Sequence, residues 1–250
     1  MKRSLDQIEG KNPVKEALQA GRREIFQMYL ADGLGRADVE ELQTMARDAG
    51  IRVKSVPRQV LDRMAQSGAH QGVLVTCEQY PYCTVEDVLS RARTAGEDPF
   101  IVVAAHIQDP QNLGAIIRTA EEAGAHGVIV PRRRAAHITS AVVKASAGAS
   151  EYMRVALVTN LVRTVRHLQE ERVWVFAGDS DGEPVYDVDL SGAVALCIGS
   201  EGKGVPRLLA ETCDGLVASP SRGRVGSLNA SAAGAVLMYE VVRRRHRGAG

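Results

Sequence analysis

The chain has 250 residues, 45% of them hydrophobic and 24% charged, the balance of a soluble globular protein long enough for one large core or two ordinary ones. A net charge of only +1 excludes binding of nucleic acid through an overall basic field, so any phosphate-binding surface must come from local clusters: Arg132–Arg133–Arg134, or the tail Arg243, Arg244, Arg245, His246, Arg247. Cys77, Cys83, Cys197 and Cys213 lack metal-binding spacing, and no run reads as a signal peptide or membrane span, which points to a cytoplasmic protein with reduced thiols and no membrane role.

In chain order, N-P-V-K-E-A-L-Q-A-G predicts a first helix with Asn12 as cap, Pro13 in the first turn and Gly21 as stop. Strands follow at 24–31, 51–56 and 72–78, with helices at 37–50 and 57–66 between them. Residues 1–78 thus form a small α/β domain. The stretch 79–99 reads as a linker with a short helix after Thr84. From residue 100 to 250 the pattern is more regular. Apolar runs at 100–107, 126–131, 153–158, 172–178, 193–199 and 215–219 alternate with helical patterns at 113–124, 140–148, 160–171, 206–213 and 227–245. Apolar strands separated by helices predict a parallel sheet covered on both faces, whose ligands bind beyond the carboxyl ends of the strands.

Three loops after strands carry candidate chemistry. The first is D-P-Q-N-L-G-A-I-I-R-T-A, where Asn112 stands at a capping position and Arg118 lies among apolar neighbours, so that its charge either snorkels outward or meets a partner. On a helix these two residues are about 120° apart. The second, I-G-S-E-G-K-G-V, follows an apolar strand; its glycines Gly199, Gly202 and Gly204 match neither a phosphate-binding P-loop nor the dinucleotide fingerprint, and read equally as a plain turn. Glu201 within that turn must meet donors or solvent. The third, S-P-S-R-G-R-V-G-S-L-N-A-S-A-A-G, places Ser227, Asn229 and Ser231 at a helix start, where they cap the helix or grip a ligand. Small residues beyond them allow close packing on the sheet or across a subunit interface.

Together, N-L-G-A-I-I-R-T-A (112–120), I-G-S-E-G-K-G-V (198–205) and G-S-L-N-A-S-A-A (226–233) resemble the three motifs of the SpoU/TrmH family, in order and spacing. G-K-N-P-V-K-E-A-L (10–18) and H-Q-G-V (70–73) resemble the small substrate-binding domain that precedes the catalytic domain in many members. The likeness is nearest to the branch that methylates a guanosine of 23S ribosomal RNA. It implies an α/β fold of SPOUT type, a parallel sheet with a C-terminal trefoil knot, behind an L30e-like domain. It further implies S-adenosylmethionine as methyl donor without a metal, ribosomal RNA as partner, and a homodimer through the knot domain. By the same resemblance Asn112, Arg118, Glu201, Ser227 and Asn229 surround the reacting atoms, and Gly199, Gly202, Ser219 and Leu228 contact the cofactor. Arg132, Arg133 and Arg134 follow a strand end on the active-site side and are expected to meet RNA phosphate. Ser219 and Ala230 depart from the commoner aliphatic and valine residues at their positions.

Methyl transfer to a ribose hydroxyl is an in-line displacement that requires close approach, orientation and loss of a proton. A guanidinium is always protonated, so Arg118 reads as a phosphate clamp and charge stabiliser rather than a base. The competing readings are a tRNA 2′-O-methyltransferase and a non-catalytic RNA-binding knot protein. The six histidines show no triad spacing, and Cys197 in its apolar strand reads as packing.

Overall fold

The structure is a computed structural model that describes residues 5–66, 70–220, 223 and 228–248. The chain divides into two compact units, Met1–Pro81 with Ile138–Tyr152, and Tyr82–His137 with Met153–Gly250.

The first unit runs β1 (Leu5–Glu9), α1 (Lys11–Ala20), β2 (Ile25–Ala31), α2 (Arg36–Asp48), β3 (Val53–Val56), α3 (Arg58–Met64) and β4 (Val73–Glu78). Its sheet has the order β1-β4-β2-β3, antiparallel at β1–β4 and β4–β2 and parallel at β2–β3. The expected strands and helices are present, and β1 is an addition: its alternation is too short and polar to read from sequence. Gly10, not Asn12, precedes α1, so Asn12 lies inside the first turn; Gly21 closes the helix in the left-handed conformation as expected.

The second unit opens with α4 (Val85–Ala95), the short helix expected after Thr84, which starts in a capping box: Asp87 N–H donates to the Thr84 hydroxyl while the Asp87 carboxylate accepts from Thr84 N–H. Then follow β5 (Phe100–Ala105), α5 (Pro110–Glu122), β6 (Gly127–Pro131), α6 (Ser140–Ala145), β7 (Val155–Val158), α7 (Leu161–Glu170), β8 (Trp174–Pro184), β9 (Val194–Gly199), α8 (Arg207–Ala210), β10 (Gly215–Ala218) and α9 (Ala230–Gly248). Of these, α6 belongs to the first unit. The six strands form one sheet, β10-β8-β9-β5-β6-β7, with every ladder parallel. Ile101, Val103, Ile129, Val175, Ala195 and Cys197 are fully buried in its core, as continuous apolar strands require. β8 extends beyond the expected end at residue 178, because the chain bulges there and Glu183 and Pro184 rejoin β10.

Strand order reverses between β5 and β9: the chain leaves β5 toward β6 and β7, then returns on the other side. Such a switch point leaves a crevice beyond the strand ends. Ala105 pairs with Gly199 there, so the loops after β5 and β9 leave the sheet side by side. Over this edge lies α9, where a Cβ on Gly234 would stand 2.6 Å from Ile198 Cδ1. Of the two packings that its small residues allow, this one is against the sheet.

Candidate active site

The first loop is built differently from its sequence reading. Asp109 caps α5, accepting from Gln111 N–H, and Pro110 takes the first helical position. Asn112 is therefore already within the helix, which frees its side chain from capping. Arg118 is exposed beside buried Ile116, Ile117 and Ala120, and pairs with no described residue. Of the two options, its charge snorkels outward.

The glycine loop folds back on itself. Ser200 and Gly204 form a small antiparallel bridge, with Gly204 N–H donating to Ser200 O at 2.8 Å. A Cβ on Gly199 would lie 2.0 Å from the Gly204 carbonyl carbon, so this position admits glycine alone; Gly204 itself has a φ of +60°. The backbone that approaches Gly199 is thus the loop's own. The result is a tight turn that holds Glu201 out at its tip.

Asn229 performs two tasks at once. Its Oδ1 accepts from Ser231 N–H at 2.8 Å and Ala232 N–H at 3.3 Å, the pattern of a cap on α9, and from the Ser231 hydroxyl at 2.6 Å. Capping fixes the orientation of the amide, so its NH₂ faces away from the helix. There it donates to Asn112 Oδ1 at 2.9 Å and to Glu201 Oε1. Asn112 Nδ2 donates to the same Glu201 oxygen at 3.0 Å. Three residues from the three motif segments thus close one ring of hydrogen bonds around a carboxylate that stays open to solvent. Glu201 Oε2 has no partner among the described residues.

The remaining candidates differ in exposure. Gly199 and Ser219 are half-buried, Gly202 is exposed, and Leu228 is 52% exposed although apolar. Arg132, Arg133 and Arg134 are exposed just beyond β6, and Arg134 has a φ of +59°. Ser227 lies outside the described residues. The basic tail is not an open surface where it is described: Arg243 and Arg244 both bind Glu240, and Arg245 donates to Pro99 O and Gly192 O. Sequence reasoning also missed His106, which takes a φ of +58° at the end of β5 and has a buried Nδ1 without a described partner. Nothing in its sequence neighbourhood signals that backbone. His70 and His126 are satisfied core groups, each accepting a backbone N–H through Nδ1. Cys197 is packing: the Cys213 sulfur at 3.9 Å and full burial push its thiol well above the ordinary range.

Residues 99–239 match the SpoU rRNA Methylase family, and residues 7–83 match the RNA 2′-O ribose methyltransferase substrate binding family. The chain belongs to the SpoU methylase family. Among its relatives is the putative TrmH family tRNA/rRNA methyltransferase YacO of Bacillus subtilis (strain 168), 41% identical over 247 residues, which are 98% of each chain. Among solved structures, the SpoU methyltransferase AviRb from Streptomyces viridochromogenes in complex with AdoMet is 25% identical, with a TM-score of 0.80 over 96% of this chain and 90% of its own. The AdoMet-bound rRNA methyltransferase from Sinorhizobium meliloti is 26% identical, with a TM-score of 0.76 over 96% and 87%. No described helix is long and apolar enough to cross a membrane.

Proposed function

We propose that this family member methylates a ribose 2′-hydroxyl of RNA with S-adenosylmethionine as donor, and that the target is a guanosine of 23S ribosomal RNA. The observation that carries the reading is the convergence of Asn112, Glu201 and Asn229, drawn from the three motifs, into one hydrogen-bonded ring at the switch point of the sheet. The match of residues 7–83 to a substrate-binding family supports a large structured RNA. With the S. meliloti relative, described as an rRNA methyltransferase, it favours ribosomal over transfer RNA. The first unit then holds RNA and the second carries the chemistry.

The residues present fit the cofactor. An exposed apolar Leu228 and the open Glu201 carboxylate suit a ligand that combines a flat apolar adenine with a sulfonium cation. Gly199, Gly202, Ser219 and Leu228 would hold it, in the trefoil knot that the family resemblance implies. When bound, it supplies an electrophilic methyl group. Asn112 and Asn229 keep the Glu201 carboxylate in one orientation, which leaves its second oxygen for a donor arriving with the substrate. A guanidinium is a donor and not a base, so Arg118 clamps a phosphate beside the target ribose and stabilises alkoxide charge. The proton passes to water or a phosphate oxygen. Ser227 completes the set by its place in the third motif, and Arg132–Arg134 bind RNA backbone. The working form is a cytoplasmic homodimer through the second unit.

The test is a map of 2′-O-methylation in ribosomal and transfer RNA from a strain lacking the protein. Loss of one 23S guanosine methyl is expected. Loss of a tRNA methyl instead would move the substrate to tRNA, and unchanged maps of both would overturn the reading.

A further inference from the structure

We propose that the cleft beside α7 is a second phosphate-binding site that grips the RNA backbone flanking the target nucleotide, a proposal that rests on the RNA-methylating reading above. The cleft has a volume of about 690 Å³, and Arg132, Thr159, Asn160, Arg163, Arg166 and Glu170 are on its lining. It shares no lining residue with the Asn112–Glu201–Asn229 ring.

Sequence and fold bring these arginines together from two directions. Arg132 follows β6, and its N–H donates to Val158 O at 2.8 Å, which continues the β6–β7 ladder and holds the residue at the strand ends. α7 buries Leu161, Val165 and Leu168 on the core, so Arg163 and Arg166, one helical turn apart, both lie exposed on its other side. Arg132, Arg163 and Arg166 have no side-chain partner among the described residues. Three arginines against one glutamate leave the lining at +2, with His167 counted neutral, in a chain whose total is +1. Glu170 approaches His167 Nδ1 at 3.8 Å and does not pair with Arg166; His167 Nε2 is held by Glu86 at 2.9 Å.

The chemistry selects a phosphodiester chain. Arginine forks match phosphate oxygens in pairs, and three of them spread along a cleft match successive phosphates better than one compact ion. Leu157 and Val158 add an apolar floor on which ribose and base can lie. Position supports the same partner. β7 lies two strands from β5 in one parallel sheet, about 10 Å along the edge from which the first motif leaves. An RNA strand with its target ribose at Glu201 and Arg118 therefore passes this cleft within a few nucleotides.

The test compares wild type, Arg163→Gln/Arg166→Gln, Arg163→Lys/Arg166→Lys and Glu170→Gln. Methyl transfer from labelled S-adenosylmethionine to protein-free ribosomal RNA gives KM and kcat. Binding of a labelled single-stranded RNA oligonucleotide is followed over a salt series. The glutamine pair is expected to raise KM for RNA about tenfold with kcat nearly unchanged, and to reduce the salt slope of log K by about 1.5, the loss of two phosphate contacts. S-adenosylmethionine affinity stays at the wild-type value, the lysine pair restores most of the slope, and Glu170→Gln tightens RNA binding. Active wild type with KM and salt slope unchanged in the glutamine pair overturns the cleft while leaving the methylation reading intact. Wild type that neither methylates nor binds RNA overturns both.

Discussion

Two carboxylates in this protein are each held by nitrogen donors, and their surroundings give them opposite roles. In the first unit Glu151 meets Arg23 at 2.6 Å, with both side chains 1% exposed. Arg23 also reaches Asp6 at 3.1 Å and lies 5.0 Å over the Tyr80 ring, while the Tyr80 hydroxyl donates to Ser150 O. Burial pushes the Glu151 carboxyl above its usual range even beside Arg23. In the second unit Glu201 has neutral amide donors, stands open to solvent, and keeps one oxygen without a described partner. A sealed charge network is closed to any ligand, even with Arg23 Nε left without a hydrogen-bond partner, and it serves the fold. An open one that is only half satisfied retains capacity for a substrate.

The largest effect should come from breaking the sealed network. Arg23→Met removes the ion-pair partner of buried Glu151, leaves it only the charge of Arg22, and should cost about 3–5 kcal/mol of unfolding free energy in urea titration. Adding Glu151→Leu should recover much of that loss; a single variant as stable as wild type would place the network with surface ion pairs. In the open ring, Asn229→Ala removes two donors to the proposed centre, with an expected loss of about 10²–10³ in kcat. Its cost in stability should be only about 1 kcal/mol, the value of a lost helix cap. Equal losses in rate and stability would erase the contrast between the two networks.

Arg118→Lys sharpens the open side further. A clamp that uses the guanidinium fork loses about tenfold in kcat/KM for RNA on this change, with the pH profile unmoved. Near-full activity with an alkaline optimum would instead make residue 118 the base. The smallest effect concerns acid. The hydroxyl and backbone N–H of Thr84 hold the Asp87 carboxyl below its usual range. Its contribution is therefore present above the ordinary carboxylate range and lost as pH falls through the lowered value. Amide exchange in Val85–Ala95 should rise over that interval, and Asp87→Asn should abolish the pH dependence.

The strands of the parallel sheet were legible because fully buried strands leave continuous apolar runs such as V-A-L-C-I-G. β1 was not, since L-D-Q-I-E holds only two apolar residues and no such run. The family resemblance implied that Asn112, Glu201 and Asn229 meet, but sequence could not say that one amide would both cap α9 and bridge the other two. The cap of α5 was misread, because both Asp109 and Asn112 suit that position and only Pro110 decides between them. The positive φ of His106 and the shared cleft face of Arg132 and Arg163 depend on tertiary packing, which no local pattern records. Nothing in S-A-V-V-K-A-S-A-G tells which unit receives α6.

The central claim is that the Glu201 ring serves methyl transfer and not the fold. Single-turnover transfer to ribosomal RNA by Glu201→Gln, alongside its thermal unfolding, tests it most directly. The account predicts a rate at least about 100-fold below wild type, with stability changed by less than about 1 kcal/mol because the group is exposed. A variant that transfers methyl at the wild-type rate, or one that loses rate only by unfolding, would contradict it.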